Sequence, residues 1–244
     1  MHTTITLTVA ESKRLIARGL ANTNHVKRAL TEGIVAVAPG STDGYVVEEL
    51  THESIDKTQF VTGRTLPSGY NGRAPGKKLA DLVLKNGERL DMAATDAVAE
   101  MGAGDVFIKG ANAINLTLDQ VGVLIGHPTG GTLGATLGTI TARRILLIHP
   151  VGIEKSVPAD LNEAALLQKE KDGQGPTLWV SPGRIFTEID AFAVVCDVQA
   201  IPIAAGGIGG AEGACWFMLL GDRKALERAE ALVAGIQGEP PFLG

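Results

Sequence analysis

Residues 121–158 read VGVLIGHPTGGTLGATLGTITARRILLIHPVGIEKSVP, and no other stretch limits the possible folds as much. An apolar run over 121–125 enters a turn holding Gly126, Gly130, Gly131 and Gly134. A small-residue segment over 135–143 follows, and a second apolar run over 145–148 stops at His149-Pro150. The pattern predicts a strand, a glycine loop, a short helix and a second strand. Such a loop leaves backbone N–H groups at the positive end of a helix, where an anion is the natural guest.

The same grammar recurs upstream. IVAVA over 34–38 is a continuous apolar run of the kind found in buried parallel strands; it ends in Pro39-Gly40-Ser41-Thr42-Asp43-Gly44 and resumes as a helix from Tyr45. Gly40, Ser41 and Thr42 fit a phosphate cradle, and the same geometry fits a helix cap made by Ser41, Thr42 or Asp43. A third short strand over 106–108 stops at Lys109-Gly110-Ala111-Asn112. Strand and helix alternate often enough to predict an α/β fold with a Rossmann-like, doubly wound, mainly parallel sheet over residues 1–158. In such a fold three loops converge at the strand ends, namely 40–44, 109–112 and 127–134.

Elsewhere the pattern predicts a strand over 3–9, helices over 11–19 and 21–30, a hairpin at Asn86-Gly87 and a helix over 95–101. Residues 51–78 are polar and rich in Gly and Pro, with Tyr70-Asn71-Gly72-Arg73 in the middle, and read as an excursion over the sheet or a lid. A charged helix over 159–171 leads to a linker, DGQGP. From 176 to 244 the order is strand, helix, strand, strand, helix, which predicts a small α+β, ferredoxin-like module. Its strands at 200–205 and 214–220 are joined by GGIGGAEG, read as a flexible turn or a loop folded over the site.

Composition narrows the function classes. With 244 residues the chain supports one large or two small domains, and 31 glycines with 4% aromatics fit a glycine-looped α/β protein. A net charge of -5 with no basic cluster beyond pairs such as Lys77-Lys78 leaves no electrostatic footprint for nucleic acid or an anionic membrane. The start of the chain lacks a signal-peptide pattern and no apolar run nears the ~20 residues of a membrane span, so a cytoplasmic protein is expected. Cys196 and Cys215 lie in apolar segments without CxxC spacing and read as reduced core residues.

Gly130, Gly131, Thr132 and Gly134 form neither a Walker loop nor a strict GxGxxG, and no acidic residue follows the next strand where a nicotinamide site needs one. His127 and His149 lack a third ligand at metal-site spacing, so no metal and no cofactor is expected. Lys109 stands where an ammonium meets an anionic ligand and equally fits a solvated strand end, and Asp43 or Glu154 is placed for general base work. Glu154-Lys155 also fits an internal ion pair.

IVAVAPGSTDGYVVEEL resembles the strand, glycine-Ser-Thr loop and helix that open ribose-5-phosphate isomerase A and its relatives. DVFIKGANAI with the following glycine-rich turn is similar to segments of methylthioribose-phosphate isomerases and initiation factor 2B regulatory subunits. The resemblance covers roughly residues 20–155 and points to the superfamily that joins sugar-phosphate isomerases, glucosamine-6-phosphate deaminase and CoA transferases. It implies that a phosphorylated sugar or CoA thioester binds at Gly40, Ser41 and Thr42 and at the loop of Lys109, Gly110 and Asn112. Where the related isomerases carry Gly-Ala-Asp, this chain has Gly110-Ala111-Asn112, and an amide transfers no proton. The resemblance does not extend to the C-terminal module.

The expectation is therefore a protein that binds an anionic small molecule at glycine-rich loops, an isomerase or transferase if it is an enzyme. The rival is a non-catalytic metabolite sensor or assembly subunit that forms a homo-oligomer through the C-terminal module. An NAD(P)-dependent enzyme ranks third.

Overall fold

The chain's computed structural model describes residues 1–63, 65–69 and 76–242, so the expected excursion at Tyr70-Asn71-Gly72-Arg73 lies outside the described residues. Among those residues the protein is a mixed α/β fold with eight α-helices and three sheets. The main sheet has six strands. Its parallel part holds β2 (Ile34–Val37), β5 (Val106–Ile108), β8 (Leu146–Pro150) and β10 (Arg184–Phe186), and the antiparallel hairpin of β3 (Leu82–Lys85) and β4 (Glu88–Leu90) extends one edge, in the order β10-β8-β5-β2-β3-β4. Asn86 and Gly87 turn that hairpin with φ of 52° and 83°, the left-handed pair that suits an Asn-Gly hairpin turn.

Alternation along the strands explains why the apolar runs are continuous. Val35, Val37, Val106, Ile108 and Ile148 enter one core, while Ile34, Ala36, Phe107 and Leu147 enter another on the opposite face. Helices α1 (Val9–Ala21), α2 (Asn24–Glu32), α3 (Asp43–Thr51) and α7 (Glu188–Cys196) cover the first face, and α4 (Ala94–Ala97) and α5 (Gly131–Arg143) cover the second. Gly19 lets α1 cross α7 closely, since a Cβ there would overlap Ala191. Each fully buried Val, Leu or Ile side chain contributes about 1.5–3 kcal/mol.

The other sheets have three strands each. One has β1 (His2–Leu7), β12 (Cys215–Leu220) and β11 (Gln199–Ala205), which joins the start of the chain to its end and packs with α8 (Arg223–Ala234) on the α1–α7 layer. Phe192 of α7 meets Phe217 of β12 edge to face at 5.9 Å. The other has β6 (Ala113–Asn115), β7 (Gln120–Ile125) and β9 (Thr177–Ser181), with α6 (Leu161–Leu167) beside it.

Strands of 1–158 and of 176–244 thus share every sheet: β1 pairs with β12, β8 with β10 and β7 with β9. Residues 184–186 form β10, and α7 starts at Glu188 because Thr187 and Asp190 make a capping box there. The apolar spacing of Ile189, Phe192 and Ala193 points to a helix from Phe186, and the structure starts it two residues later.

Candidate functional site

The parallel strands β2, β5, β8 and β10 are consecutive neighbours, so their carboxyl ends lie side by side along one sheet edge. Each end is followed by an ionisable side chain: Asp43 after β2, Lys109 after β5, Glu154 and Lys155 after β8, and Glu188 after β10.

Asp43 is fully buried and its Oδ2 accepts the Gly110 N–H at 2.9 Å. It does not cap its own helix: the N-cap residue of α3 is Thr42, which makes no side-chain cap bond. Among the described residues, Asp43 Oδ1 and the buried Thr42 hydroxyl have no hydrogen-bond partner. Orphaned buried polar atoms of this kind call for a ligand or water. Gly40 is required here, because a Cβ would run into the Asp43 carboxylate. Burial pushes the Asp43 pKa up, against the pull of the Lys109 and Lys155 charges. Burial likewise lowers the Lys109 pKa, and Lys155 adds to that while Asp43 opposes it. The Lys109 ammonium lies 3.4 Å from the Pro39 carbonyl.

Lys155 joins this half of the site to a second one. Its ammonium donates to the Ala111 carbonyl at 2.8 Å, and its charge acts on Asp43, Lys109 and Lys13. In the second half, Glu188 is fully buried at the start of α7, with the Ile153 N–H donating to Oε2 at 3.1 Å and a further hydrogen bond from the Ser12 side chain. Burial, reinforced by the Glu154 charge, raises its pKa to about 7. Glu154 Oε2 is buried without a partner among the described residues, and Gly152 leaves room for that carboxyl group. Lys13 of α1 is 7% exposed, and burial with the neighbouring Lys155 charge lowers its pKa to about 8. The glycine-rich turn before β12 borders this half, since Gly213 faces Val9 and Glu154. The Cys215 thiol is pushed up to about 12 by burial and by the charges of Glu188 and Glu154.

Lys13, Lys109 and Lys155 share one property that decides how the cluster is read. Among the described residues none of them is in a salt bridge, whereas nearby Arg14 and Lys57 are paired with Glu48, Glu49 and Glu239. Lys13 is buried and Lys109 and Lys155 are half-buried, and Asp43, Glu154 and Glu188 lie among them, so the edge gathers three ammonium and three carboxyl groups with no direct salt bridge from these lysines among the described residues.

The remaining candidate residues divide. Gly40, Thr42, Asp43, Lys109 and Gly110 come together as described, Ser41 is half-buried beside them, and Glu154 joins through Lys155. Asn112 is exposed and turned to β7, where its Oδ1 accepts the Leu124 N–H at 3.0 Å. Gly130, Gly131, Thr132 and Gly134 open α5, with Gly130 against Trp179 of β9. The Gly130 and Gly134 N–H groups are bonded within that turn, to His127 and Gly130 carbonyls. His127 is exposed, while His149 is fully buried between the Lys109 carbonyl at 2.5 Å and Ser181 Oγ at 2.7 Å. Burial lowers its pKa to about 4, so it is a neutral clamp behind Lys109. No group of three metal-ligating side chains occurs among the described residues.

No family model, curated protein or solved structure matches this chain.

Ser12, Lys13 and Glu188 were not singled out by sequence reasoning. Their signal was present but faint: Glu11, Ser12 and Lys13 are polar residues that are all buried in the first turn of α1, and Glu188 follows the apolar pair Ile185-Phe186.

Proposed function

We propose that this protein binds a small anionic metabolite, a phosphorylated sugar or a CoA-like thioester, at the carboxyl edge of its main sheet and acts on it by proton transfer, as an isomerase or transferase does. The observation that carries this reading is the set of three lysines, Lys13, Lys109 and Lys155, gathered at one sheet edge without salt-bridge partners among the described residues. The free oxygens of Asp43, Thr42 and Glu154 supply acceptors for substrate hydroxyl or amide groups. Glu188, with its pKa near 7, carries a proton that it can release at neutral pH, and Glu154 is the complementary base.

Helices on both faces and ligand groups at strand ends support a Rossmann-like reading of the sheet. The C-terminal α+β module is read as β11, β12, α7 and α8, completed by β1 from the other end of the chain.

The test is thermal unfolding with inorganic phosphate, ribose 5-phosphate, glucosamine 6-phosphate and acetyl-CoA. A ligand at ~100 times its dissociation constant adds ~2.7 kcal/mol to the folded state. Lys109→Met and Lys155→Met should each lose most of that shift. Equal shifts in wild type and both variants, or no shift with any anion, would remove the reading.

A second reading, an assembly subunit in a homo-oligomer, draws on one observation. Trp216 is 44% exposed on β12, on the side opposite the buried Phe217 and Leu219. Light scattering of wild type and Trp216→Ser decides it: an oligomer that the substitution dissociates supports assembly through that face, and a monomeric wild type excludes it.

A further inference from the structure

We propose that Lys13 is an amine nucleophile that condenses with the carbonyl carbon of a small anionic aldehyde or ketone. The proposal rests on the anion-binding reading for the class of substrate, and it adds a covalent step that this reading does not contain.

Lys13 is 7% exposed, yet its ammonium has no hydrogen-bond acceptor or salt-bridge partner among the described residues. Its Nζ lies over the Phe242 ring, 5.1 Å from the centroid. A shielded lysine without an acceptor is unlike its half-buried neighbour on the helix, Arg14, which is bonded to Glu48, Glu49 and Glu239. The charged groups that face Lys13 come from the loop after β8: Lys155, which disfavours its ammonium, and Glu154, which favours it. Burial and the second cation win, so a neutral amine becomes available near pH 8. An amine desolvated beside another cation is a recognised setting for imine chemistry.

The neighbours supply the rest of the step. Glu154 follows Ile153, whose N–H donates to Glu188 Oε2 at 3.1 Å, and the Glu154 charge acts on both Glu188 and Lys13. The neutral Lys13 amine attacks the carbonyl carbon, and the C=O electron pair moves to oxygen, which takes the proton of Glu188. The nitrogen of the resulting carbinolamine gives a proton to Glu154. Return of a proton to the hydroxyl group expels water and leaves a protonated imine, so amine and carbonyl become imine and water. Lys109 and Lys155 hold the anionic end of the substrate meanwhile.

The test uses the full chain with pyridoxal 5′-phosphate, pyridoxal and inorganic phosphate, borohydride reduction and peptide mapping. Pyridoxal 5′-phosphate should label Lys13 about tenfold faster than the exposed Lys77 and Lys224 at neutral pH. The rate should peak between about pH 7 and pH 8, where the neutral Lys13 amine and the protonated Glu188 coexist, and phosphate should protect. Lys13→Arg should remove that label while melting like wild type, and Phe242→Ala, which uncovers the amine, should accelerate it. Equal labelling by pyridoxal without phosphate protection would keep the nucleophile and overturn the anion site. Stabilisation by phosphate with Lys13 labelled no faster than Lys224, in wild type and in Phe242→Ala alike, would overturn the nucleophile and keep the anion site.

Discussion

Asp43 Oδ2 accepts the Gly110 N–H at 2.9 Å, and this one bond fastens the loop after β2 to the loop after β5. Two glycines make it possible: a Cβ on Gly40 would overlap the carboxylate, and one on Gly110 would press on it at 3.1 Å. Removing the carboxylate breaks this bond and leaves the Gly110 N–H without its acceptor, which costs about 1–3 kcal/mol. Asp43→Ala should lose stability of that order in urea unfolding. Gly40→Ala should be costly in wild type and nearly neutral in the Asp43→Ala background, because the clash partner is gone. Additive costs in the double variant would show that the carboxylate does not fill the space beside Gly40.

Glu188 gives a pH signature. Its pKa is raised in the folded protein from 4.5 to about 7, so the folded state holds the proton more tightly than the unfolded chain. Its contribution is fully present below about pH 4.5 and is lost as pH rises through 7, on the order of 3 kcal/mol in all. Glu188→Gln keeps the shape and drops the titration. The stability of wild type relative to this variant should therefore fall between pH 5 and pH 8, and a parallel pair of pH profiles would show that Glu188 ionises as freely as in the unfolded chain.

Much of this was legible in the sequence. The run IVAVA marks a strand buried on both faces, Asn86-Gly87 marks a hairpin, and Asp43, Lys109 and Glu154 stand where strands end. Local pattern carried that information, and it ran out where pairing is long-range. Glu188 reaches the edge only because β10 adds to β8, and Ser12 and Lys13 do so only because α1 packs against α7. The β7 apolar run looks like a further strand of the main sheet, but it pairs with β6 and β9. The loop after it therefore packs on Trp179, a placement that hydrophobic periodicity does not encode.

Gly131 separates the two possible anion sites on this molecule. Its φ is +57°, and a Cβ would meet nothing closer than His127 at 3.6 Å. Gly131→Ala should thus cost about 1–2 kcal/mol of backbone strain and leave the fold intact. With the site at the sheet edge, the phosphate-induced rise in melting temperature should survive in Gly131→Ala and fail in Lys155→Met. The reverse pattern would move the anion to the start of α5.

Arg14 holds the C-terminal segment beside the edge. Its guanidinium reaches Glu48 at 2.5 Å, Glu49 at 3.2 Å and Glu239 at 2.9 Å, and it stacks on Tyr45 at 4.9 Å. Gly238 N–H adds a bond to Glu11 at 2.9 Å, which places Phe242 over Lys13. Arg14→Met leaves Glu48 with Lys57 alone, so the loss should be about 2–3 kcal/mol, below that for a fully orphaned charge. Arg14→Lys should recover little, because a point charge cannot serve three carboxylates as a planar fork does. Hydrogen exchange at Gly238 should quicken in both variants, and labelling of Lys13 should quicken with it. Unchanged exchange there would mean that the segment is held by packing of Ile236 in the core and that Arg14 serves only to neutralise Glu48.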